Sequence, residues 1–340
     1  MHIVITGGAG FLGARLARTL LELPGLSLAG QPAAKISGIT LVDRASPPSD
    51  LARDPRVRAV VGDLNALLAD RSPANPVVRA QDALVFHLAA AVSGECEADF
   101  DLGMGSNLEA TSALLAHCRA LGTAPTVVFA SSLAVFGNSP EQPLPPVIDD
   151  RTLPTPQSSY GIQKFIGEQL VADYGRKGFI RARNVRLMTV SVRPGKPNGA
   201  ASSFLSGMIR EPLAGVRTIC PVAPDTPVAL SSPGRTIDGL ICAAEASDKD
   251  WGARTAINLP ALATTPGAMA HALARVAGAK VAALIDWQPD AAISKLVTSW
   301  PANVDAQRAR ALGLLPDPDF YSIVTAYLSE NPRRAPGQAE

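Results

Sequence analysis

The sequence predicts an α/β fold built around a doubly wound parallel sheet, with a smaller domain toward the carboxyl terminus. Short runs of apolar and β-branched residues alternate with longer segments of helical period. Continuous apolar strands separated by helices are typical of a parallel sheet that is covered on both faces. The predicted strands are residues 2–6, 38–43, 57–63, 83–90, 126–132 and 184–194, and the predicted helices are residues 11–23, 106–121 and 157–177.

The regular alternation weakens beyond Arg193, where the elements are shorter and Pro and Gly are frequent. We therefore expect a first domain over residues 1–193 and a smaller domain over residues 194–328, with segments near 226–260 returning to the sheet. Residues 329–340 are expected to form a disordered tail.

The composition indicates a globular protein. Of 340 residues, 47% are hydrophobic and 18% are charged, which is enough apolar surface to fold without metals or disulfides. The formal charge of +1 gives no reason to expect nucleic acid or an anionic membrane as a partner. The four cysteines and four histidines show no metal-ligand spacing, so reduced, mostly buried thiols and no metal are expected. The first residues lack a signal sequence, which favours a cytoplasmic location.

A glycine motif follows the first predicted strand. In "TGGAGFLG", Gly7, Gly10 and Gly13 lie where a tight turn, a close approach to pyrophosphate and close packing of helix on strand each exclude a side chain. The helix that begins near Phe11 and Leu12 directs its unpaired amides at the phosphates. A flexible loop is the alternative for an isolated triplet, but the strand–turn–helix context favours a Rossmann-type dinucleotide site.

Asp43 ends the second predicted strand in "LVDR", where a carboxylate can accept hydrogen bonds from both ribose hydroxyls of NAD. A 2′-phosphate would meet that negative charge, so NAD is expected rather than NADP. Arg44 leaves NADP as the alternative, because a guanidinium could pair with the phosphate. Asp63 ends the third strand, and it either accepts the adenine amino group or caps a turn.

A tyrosine and a lysine are four positions apart in "SSYGIQKF". Tyr160 and Lys164 share one helix face and project toward the carboxyl ends of the strands. An adjacent ammonium and a positive nicotinamide ring favour the phenolate, and lowering the pKa from near 10 to around 7 corresponds to about 4 kcal/mol. Such a phenolate is a competent base for a substrate hydroxyl. The alternative is an ordinary exposed helical pair.

A serine at the end of "TVVFASS" can hold the substrate oxygen while the proton leaves. Successive strand residues face opposite sides, so only one of Ser131 and Ser132 can point at the site.

These motifs, together with "GDL", "HLAA" and "SSLAVFG", stand in the order found in the extended short-chain dehydrogenase/reductases, the superfamily of nucleotide-sugar epimerases and dehydratases, which the chain resembles. The resemblance selects Ser132 over Ser131 and implies a triad of Ser132, Tyr160 and Lys164, with Lys164 also bonding the nicotinamide ribose. It further implies a structural role for Asn107 and a homodimer formed by the 106–121 and 157–177 helices. The cofactor-binding residues it implies are Gly7, Gly10, Phe11, Leu12, Gly13, Asp43, Asp63, Leu64, Ala89, Tyr160 and Lys164.

The residues around the triad bear on the chemistry. A dehydratase needs acidic residues beside the catalytic hydroxyl, whereas Ser132 is followed by Leu133 and Ala134. The segment "VRPGKPNGAASSF" follows the last predicted strand, where it should enter the substrate cleft. Arg193 and Lys196 could bind an anion there, and Asn198, Ser202 and Ser203 could bond hydroxyls. The alternative for the two charges is a solvated basic loop.

The same segment, with "PTPQSSYG", "IREPLAG" and "LSSP", resembles the sugar-acid dehydrogenases of this superfamily. The resemblance implies oxidation of a four-carbon acid, D-erythronate, by NAD at C2 to 2-oxo-tetronate. From position, Ser93, Lys196, Asn198 and Arg235 are expected to contact this substrate, with Lys196 or Arg235 on the carboxylate. The alternatives are a nucleotide-sugar 4-epimerase that retains NAD and a catalytically silent NAD-sensing regulator. A silent regulator is expected to lack the tyrosine or the lysine, and both are present.

Overall fold

The computed structural model describes residues 1–70, 77–195 and 199–331. The strands are β1 His2–Thr6, β2 Gly38–Asp43, β3 Val57–Val61, β4 Asp82–His87, β5 Thr126–Ser132, β6 Arg181–Leu187, β7 Thr189–Val190, β8 Thr218–Cys220, β9 Val228–Ser231, β10 Ile257–Asn258, β11 Leu262–Thr264 and β12 Ile285–Trp287.

The helices lie mostly between these strands. They are α1 Phe11–Glu22, α2 Ser49–Ala52, α3 Leu64–Ala69, α4 Ser93–Ala98, α5 Phe100–Gly103, α6 Ala110–Leu121, α7 Ser159–Arg176, α8 Ser203–Leu213, α9 Pro233–Glu245, α10 Asp248–Trp251, α11 Pro266–Ala277, α12 Ala279–Ala282, α13 Ala291–Thr298, α14 Gln307–Ala311 and α15 Phe320–Glu330. A π-helical turn, Met104–Glu109, leads into α6. Within the described ranges, no helix is long and apolar enough to cross a membrane.

The main sheet of the described chain has seven strands in the order β10-β6-β5-β4-β1-β2-β3, and every neighbouring pair is parallel. The predicted α/β class with a doubly wound parallel sheet is therefore confirmed. Alternation along β1 explains why the sheet is covered on both faces. Ile3 and Ile5 pack in one layer with Leu16 of α1, whereas Val4 packs in the opposite layer with Leu115 of α6.

The structure differs from the predicted elements mainly at their ends. The expected strand over residues 184–194 begins earlier, at Arg181, and ends at Leu187. Beyond it, β7 leaves the main sheet and pairs with β9, in a sheet ordered β11-β9-β7. One apolar run of sequence thus contributes a strand to each of two sheets. The apolar pattern indicates that these residues are buried, but it does not specify which strands they pair with. Residues 329 and 330 belong to α15, while 332–340, most of the expected tail, lie outside the described residues.

A second core lies toward the carboxyl terminus. Met208 of α8, Leu273 of α11 and Phe320 of α15 pack together beside the small sheet that β8 and β12 form. Ile257 of β10 instead pairs with Val185 of β6, at the edge of the main sheet. The division of the chain into domains at residue 193 stays a prediction.

The four cysteines are free thiols, and three of them, Cys96, Cys118 and Cys220, are buried, as expected. Asn107 is buried and has the expected structural role, because its amide joins two segments that border the sheet. It accepts a hydrogen bond from Ala91 N at 2.8 Å and donates one to Gln163 Oε1, on α7, at 2.8 Å.

The turn between β1 and α1 depends on the absence of a side chain at Gly13. A Cβ atom there would lie 2.1 Å from the Gly7 carbonyl oxygen, so α1 could not pack as it does. We expect Gly13→Ala to lower the free energy of unfolding by about 1–3 kcal/mol, measured by urea denaturation. Gly234→Ala, whose added Cβ has no neighbour closer than 3.8 Å, is the matched control and should be neutral or slightly stabilising. Equal unfolding curves for the two variants would contradict this account of the turn.

Candidate active site

A cavity of about 520 Å³ lies along the carboxyl ends of the strands of the main sheet. Its centre is the gap between β1 and β4. The chain continues from β1 to β2 on one side, whereas β4 continues to β5 on the other. In open α/β sheets such a switch point leaves a crevice in which ligands bind. All eleven residues predicted to bind the cofactor line this cavity: Gly7, Gly10, Phe11, Leu12, Gly13, Asp43, Asp63, Leu64, Ala89, Tyr160 and Lys164.

The glycine turn has the features that a bound pyrophosphate requires. Gly7 has a φ of +71°, and a Cβ atom there would lie 2.8 Å from Ala89 N. At Gly10 only the Gly7 oxygen, at 3.2 Å, lies within 4 Å of the Cβ position, so a phosphate can approach the backbone from the cavity. No side chain caps the start of α1, and its first amides are available to an anion.

The carboxylate of Asp43 is held at the cavity by the glycine turn. Its Oδ2 accepts a hydrogen bond from Ala9 N at 3.0 Å, and its Oδ1 accepts one from Ala45 N at 3.1 Å. Arg44 pairs with Asp63 at 2.6 Å, and this guanidinium holds the pKa of Asp63 below its usual range. The carboxylate of Asp43 therefore lines the cavity, while Arg44 is occupied by an acidic partner. Both features favour NAD over NADP.

Asp63 also caps α3, because its Oδ1 accepts hydrogen bonds from Asn65 N and Ala66 N. With Arg44 on Oδ2, both oxygens already have partners in the chain. Asp63 thus has the turn-capping role that the sequence left open, and the adenine contact stays a prediction.

The two serines at the end of β5 have different surroundings. Ser131 Oγ donates to Glu168 Oε1 at 2.6 Å, inside the protein. Ser132 Oγ accepts a hydrogen bond from Ala134 N at 3.1 Å, and its hydroxyl at the cavity lowers the pKa of the Tyr160 phenol. Ser132 is therefore the serine placed beside the tyrosine, as the resemblance implied.

Tyr160 and Lys164 lie in the first turns of α7, whose start Ser158 caps by accepting a hydrogen bond from Gly161 N. Lys164 is buried, and its Nζ donates to the carbonyl oxygen of Ala130 on β5 at 2.9 Å. The same Nζ lies 5.8 Å from the centroid of the Tyr160 ring. Strand and helix therefore bring Ser132, Tyr160 and Lys164 to one wall of the cavity.

The charges of this wall differ from the sequence-based expectation. In the protein alone, burial raises the pKa of Tyr160 to about 12, while the Ser132 hydroxyl and the Arg193 guanidinium act in the opposite direction. Burial also lowers the pKa of Lys164 to about 8, against the opposing effects of Cys96 and Glu168. The groups that favour the phenolate in this state are Ser132 and Arg193 rather than Lys164, and desolvation outweighs them, so the expected lowering of the Tyr160 pKa is not found in the protein alone.

His87 ends β4 beneath the cavity, where it is fully buried. Burial lowers its pKa to about 3, and the neighbouring charge of Lys164 adds to this effect. Its ring nitrogens bond Thr6 Oγ1 at 2.7 Å and Thr111 Oγ1 at 2.9 Å. His87 is thus a neutral structural group at neutral pH.

Arg193 occupies the end of the cavity nearest the phenol. Burial lowers the pKa of its guanidinium, and the charge of a nearby Tyr160 phenolate would oppose this. Its Nη2 donates to Ser202 Oγ at 3.3 Å, and its main chain is fixed by Ser206 Oγ and Arg210 Nη1. The sequence singled out Arg193 as an anion-binding candidate, and the structure places it at the triad.

Of the other residues predicted to contact the substrate, some line the cavity and some do not. Ser93 lines the cavity, and its Oγ accepts a hydrogen bond from Ala201 N at 3.1 Å. Arg235 does not reach the cavity, because Ser232 starts α9 in a direction that packs the helix beneath β5 and β6. Its nearest charged partner is Asp238, at 3.8 Å. Lys196 and Asn198 lie outside the described residues.

Several cavity residues had no sequence signal. Met188 and Thr189 follow β6 at the point where the chain changes sheets, and Trp300 arrives from the segment after α13. Their positions depend on contacts between distant parts of the chain. Asn138 N, for example, donates to Ser299 O at 2.8 Å and so holds the segment that carries Trp300.

The comparisons with known proteins agree with this site. Residues 3–225 match the model of the NAD dependent epimerase/dehydratase family. D-erythronate dehydrogenase of Cupriavidus necator is 49% identical over 97% of this chain and 98% of its own length, and D-erythronate dehydrogenase of Haemophilus influenzae is 39% identical over 96% and 99%. The crystal structure of the nucleoside-diphosphate-sugar epimerase from Agrobacterium tumefaciens superposes with a TM-score of 0.85 at 38% identity, covering 97% of this chain and 94% of that one. The glycine turn, the ribose carboxylate and the wall of Ser132, Tyr160 and Lys164 fit NAD, and the chain belongs to the NAD dependent epimerase/dehydratase family.

Proposed function

We propose that this protein is an NAD-dependent dehydrogenase that oxidises D-erythronate at C2 to 2-oxo-tetronate. The observation that carries the proposal is the cationic Arg193 beside Tyr160 in a cavity that also has the features of an NAD site. Such an arrangement suits a small hydroxy acid, whose carboxylate and reacting hydroxyl are adjacent. The two D-erythronate dehydrogenases that match nearly the whole chain support the same substrate.

In the proposed cycle, Ser132 and Tyr160 bind the C2 hydroxyl of the substrate. Tyr160, as phenolate, accepts the hydroxyl proton while Ser132 donates a hydrogen bond to the substrate oxygen. When bound, NAD supplies a positively charged nicotinamide ring that accepts the hydride from C2. Burial raises the pKa of Tyr160 in the protein alone, and the positive charge of bound NAD would favour the phenolate.

Lys164 and Arg193 have separate tasks in this scheme. Lys164 is fixed by its hydrogen bond to Ala130 O, and it bonds the nicotinamide ribose with its remaining protons. Arg193 pairs with the substrate carboxylate, which turns the neighbouring hydroxyl toward Tyr160. Ser93 and Ser202, on the same cavity, are placed to bond the other hydroxyls.

The direct test is to incubate the protein with NAD and D-erythronate and to follow the absorbance of the reduced cofactor. A panel of other four-carbon and six-carbon sugar acids sets the substrate range. Formation of reduced cofactor with D-erythronate supports the proposal. A protein that retains NAD, releases no reduced cofactor and interconverts nucleotide sugars would instead be the epimerase of the alternative hypothesis.

We expect Tyr160→Phe to lower kcat by at least about a hundredfold, because the variant lacks the proton acceptor while its ring fills the same space. NAD binding, measured by calorimetry, should persist. Turnover within a fewfold of the wild type would reject Tyr160 as the base.

Removing the charge of Arg193 should weaken substrate binding. We expect Arg193→Met to raise KM for D-erythronate by about 10-fold to 100-fold, since a charge-assisted contact contributes about 1.5–3 kcal/mol. Arg235→Met removes a guanidinium outside the cavity and is the matched control, with KM expected to stay within about twofold. Equal KM values for both variants would contradict the assignment of Arg193.

We also propose a cytoplasmic homodimer. The outer face of α7 exposes Ile162 and Ile166, which are 47% and 37% exposed, and Phe100 of the adjacent α5 is 61% exposed. Contiguous exposed apolar side chains of this size suit a protein interface. The predicted pairing of the 106–121 and 157–177 helices would cover this face.

Light scattering should give twice the chain mass for the wild type and one chain mass for Ile162→Asp/Ile166→Asp, because two buried carboxylates would oppose association. Val147→Asp changes a residue that is 50% exposed on a surface loop and should leave the dimer intact. A monomeric wild type would refute the proposed dimer.

A further inference from the structure

A buried ion pair lies directly beneath the wall that carries the triad. Arg186 Nε and Nη2 donate to the two carboxylate oxygens of Glu168, each at 2.8 Å. Ser131 Oγ donates to the same carboxylate at 2.6 Å. Glu168 and Arg186 are only 1% and 4% exposed, so the pair is shielded from water. The network is thus complete, with both oxygens of Glu168 hydrogen-bonded.

Each member of this hydrogen-bonded network lies close to a residue of the triad or to the strand on which the triad is built. Glu168 follows Lys164 by one helical turn on α7. Ser131 immediately precedes Ser132 on β5, and Arg186 pairs in register with Ser131 from β6. The network therefore ties α7 to the two strands against which the catalytic wall is built.

Stability alone does not account for an ion pair at this position. Two charges must lose their hydration to form it, and an apolar pair of similar size is often as stable in a protein interior. The guanidinium also lies 4.8 Å from the Phe136 ring centroid, a cation–π contact that offsets part of the cost of burying the charge. What a neutral pair could not supply is a negative charge close to Lys164.

We propose that Glu168, held by Arg186 and Ser131 one helical turn from Lys164, is a positioning residue whose negative charge keeps the buried Lys164 ammonium protonated. Glu168 does not touch substrate or NAD, and it acts only through Lys164. The role depends on the proposed function, since it presumes that a protonated Lys164 is required for turnover.

The groups around Lys164 determine in which direction its pKa changes when the charge of Glu168 is removed. His87 of β4 is neutral at neutral pH, Tyr160 is in its phenol form in the protein alone, and Cys96 of α4 is a buried thiol whose pKa is raised by burial. Cys96 and Glu168 both oppose the burial that lowers the pKa of Lys164 to about 8, and Glu168 is the carboxylate of the two. Arg186 offsets part of this field. Loss of the Glu168 charge should therefore lower the pKa of Lys164 further, and Lys164 should lose its proton at a lower pH.

The test separates this charge effect from stability. Glu168→Gln alone leaves the Arg186 charge buried without its partner and should lower the urea midpoint of unfolding. The double variant Glu168→Gln/Arg186→Met removes both charges and keeps an acceptor for Ser131, so its urea midpoint should return toward that of the wild type. Arg183→Met/Asp248→Asn, which removes another buried arginine's ion pair nearer the amino end of β6, is the matched control.

We expect the alkaline limb of the kcat/KM profile of the Glu168 double variant to move to lower pH by about half a unit or more, which lowers the rate about threefold above the wild-type pKa. The control should keep the wild-type profile. In parallel, 13C NMR of the lysine Cε groups, with Lys164 assigned by its loss in Lys164→Met, gives the pKa of Lys164 without any substrate. The chain has seven lysines, so the signals can be separated.

The two readouts distinguish the possible failures. If the wild type does not oxidise D-erythronate but the Lys164 pKa falls in the double variant, the proposed function fails and the influence of Glu168 on Lys164 stands. If the stable double variant has the pKa of Lys164 and the pH profile of the wild type, the network is only structural and the proposed role of Glu168 is refuted.

Discussion

The close packing of α7 on the end of β5 is the constraint on which the site depends. A Cβ atom at Gly161 would lie 2.1 Å from the Ala134 carbonyl oxygen, so the start of the helix contacts, backbone to backbone, the short turn that follows β5. One turn later, Lys164 Nζ reaches Ala130 O at 2.9 Å, which fixes the lysine from the other side. This contact sets the separation of Ser132, Tyr160 and Lys164 and leaves little room for the helix to shift.

Burial has opposite effects on the acid–base groups of the wall. It raises the pKa of Tyr160 to about 12 and lowers that of Lys164 to about 8, because water no longer stabilises either charge. Lys164 stays largely protonated at neutral pH, whereas Tyr160 keeps its proton until more positive charge arrives. In the proposed cycle, the positive ring of bound NAD would favour the phenolate, so binding of the cofactor and activation of the base are linked.

Arg193 and Arg235 illustrate how charge placement can define a substrate. Both follow strands in the second half of the chain, and both were reasonable candidates for a carboxylate contact. Arg193 lies at the cavity, with its main chain held by Ser206 and Arg210. Arg235 faces away and lies 3.8 Å from Asp238. A single guanidinium next to the phenol favours a substrate whose anionic group adjoins its reacting hydroxyl.

The sequence by itself determined the elements of the first half and much of the cofactor site. The pattern of apolar residues predicted β1, β2 and β5 with the bounds that the structure has, and the spacing of Gly7, Gly10 and Gly13 predicted the turn. These features could be predicted because they depend on residues that are close together in the sequence. Only the tertiary structure decided which arginine lies beside the triad and that Trp300 lines the cavity. It also decided that β7 pairs in a second sheet and not in the main one. It also paired Glu168 with Arg186 beneath Lys164. These outcomes depend on contacts between residues that are far apart in sequence, and local sequence patterns do not specify which distant residues will be in contact.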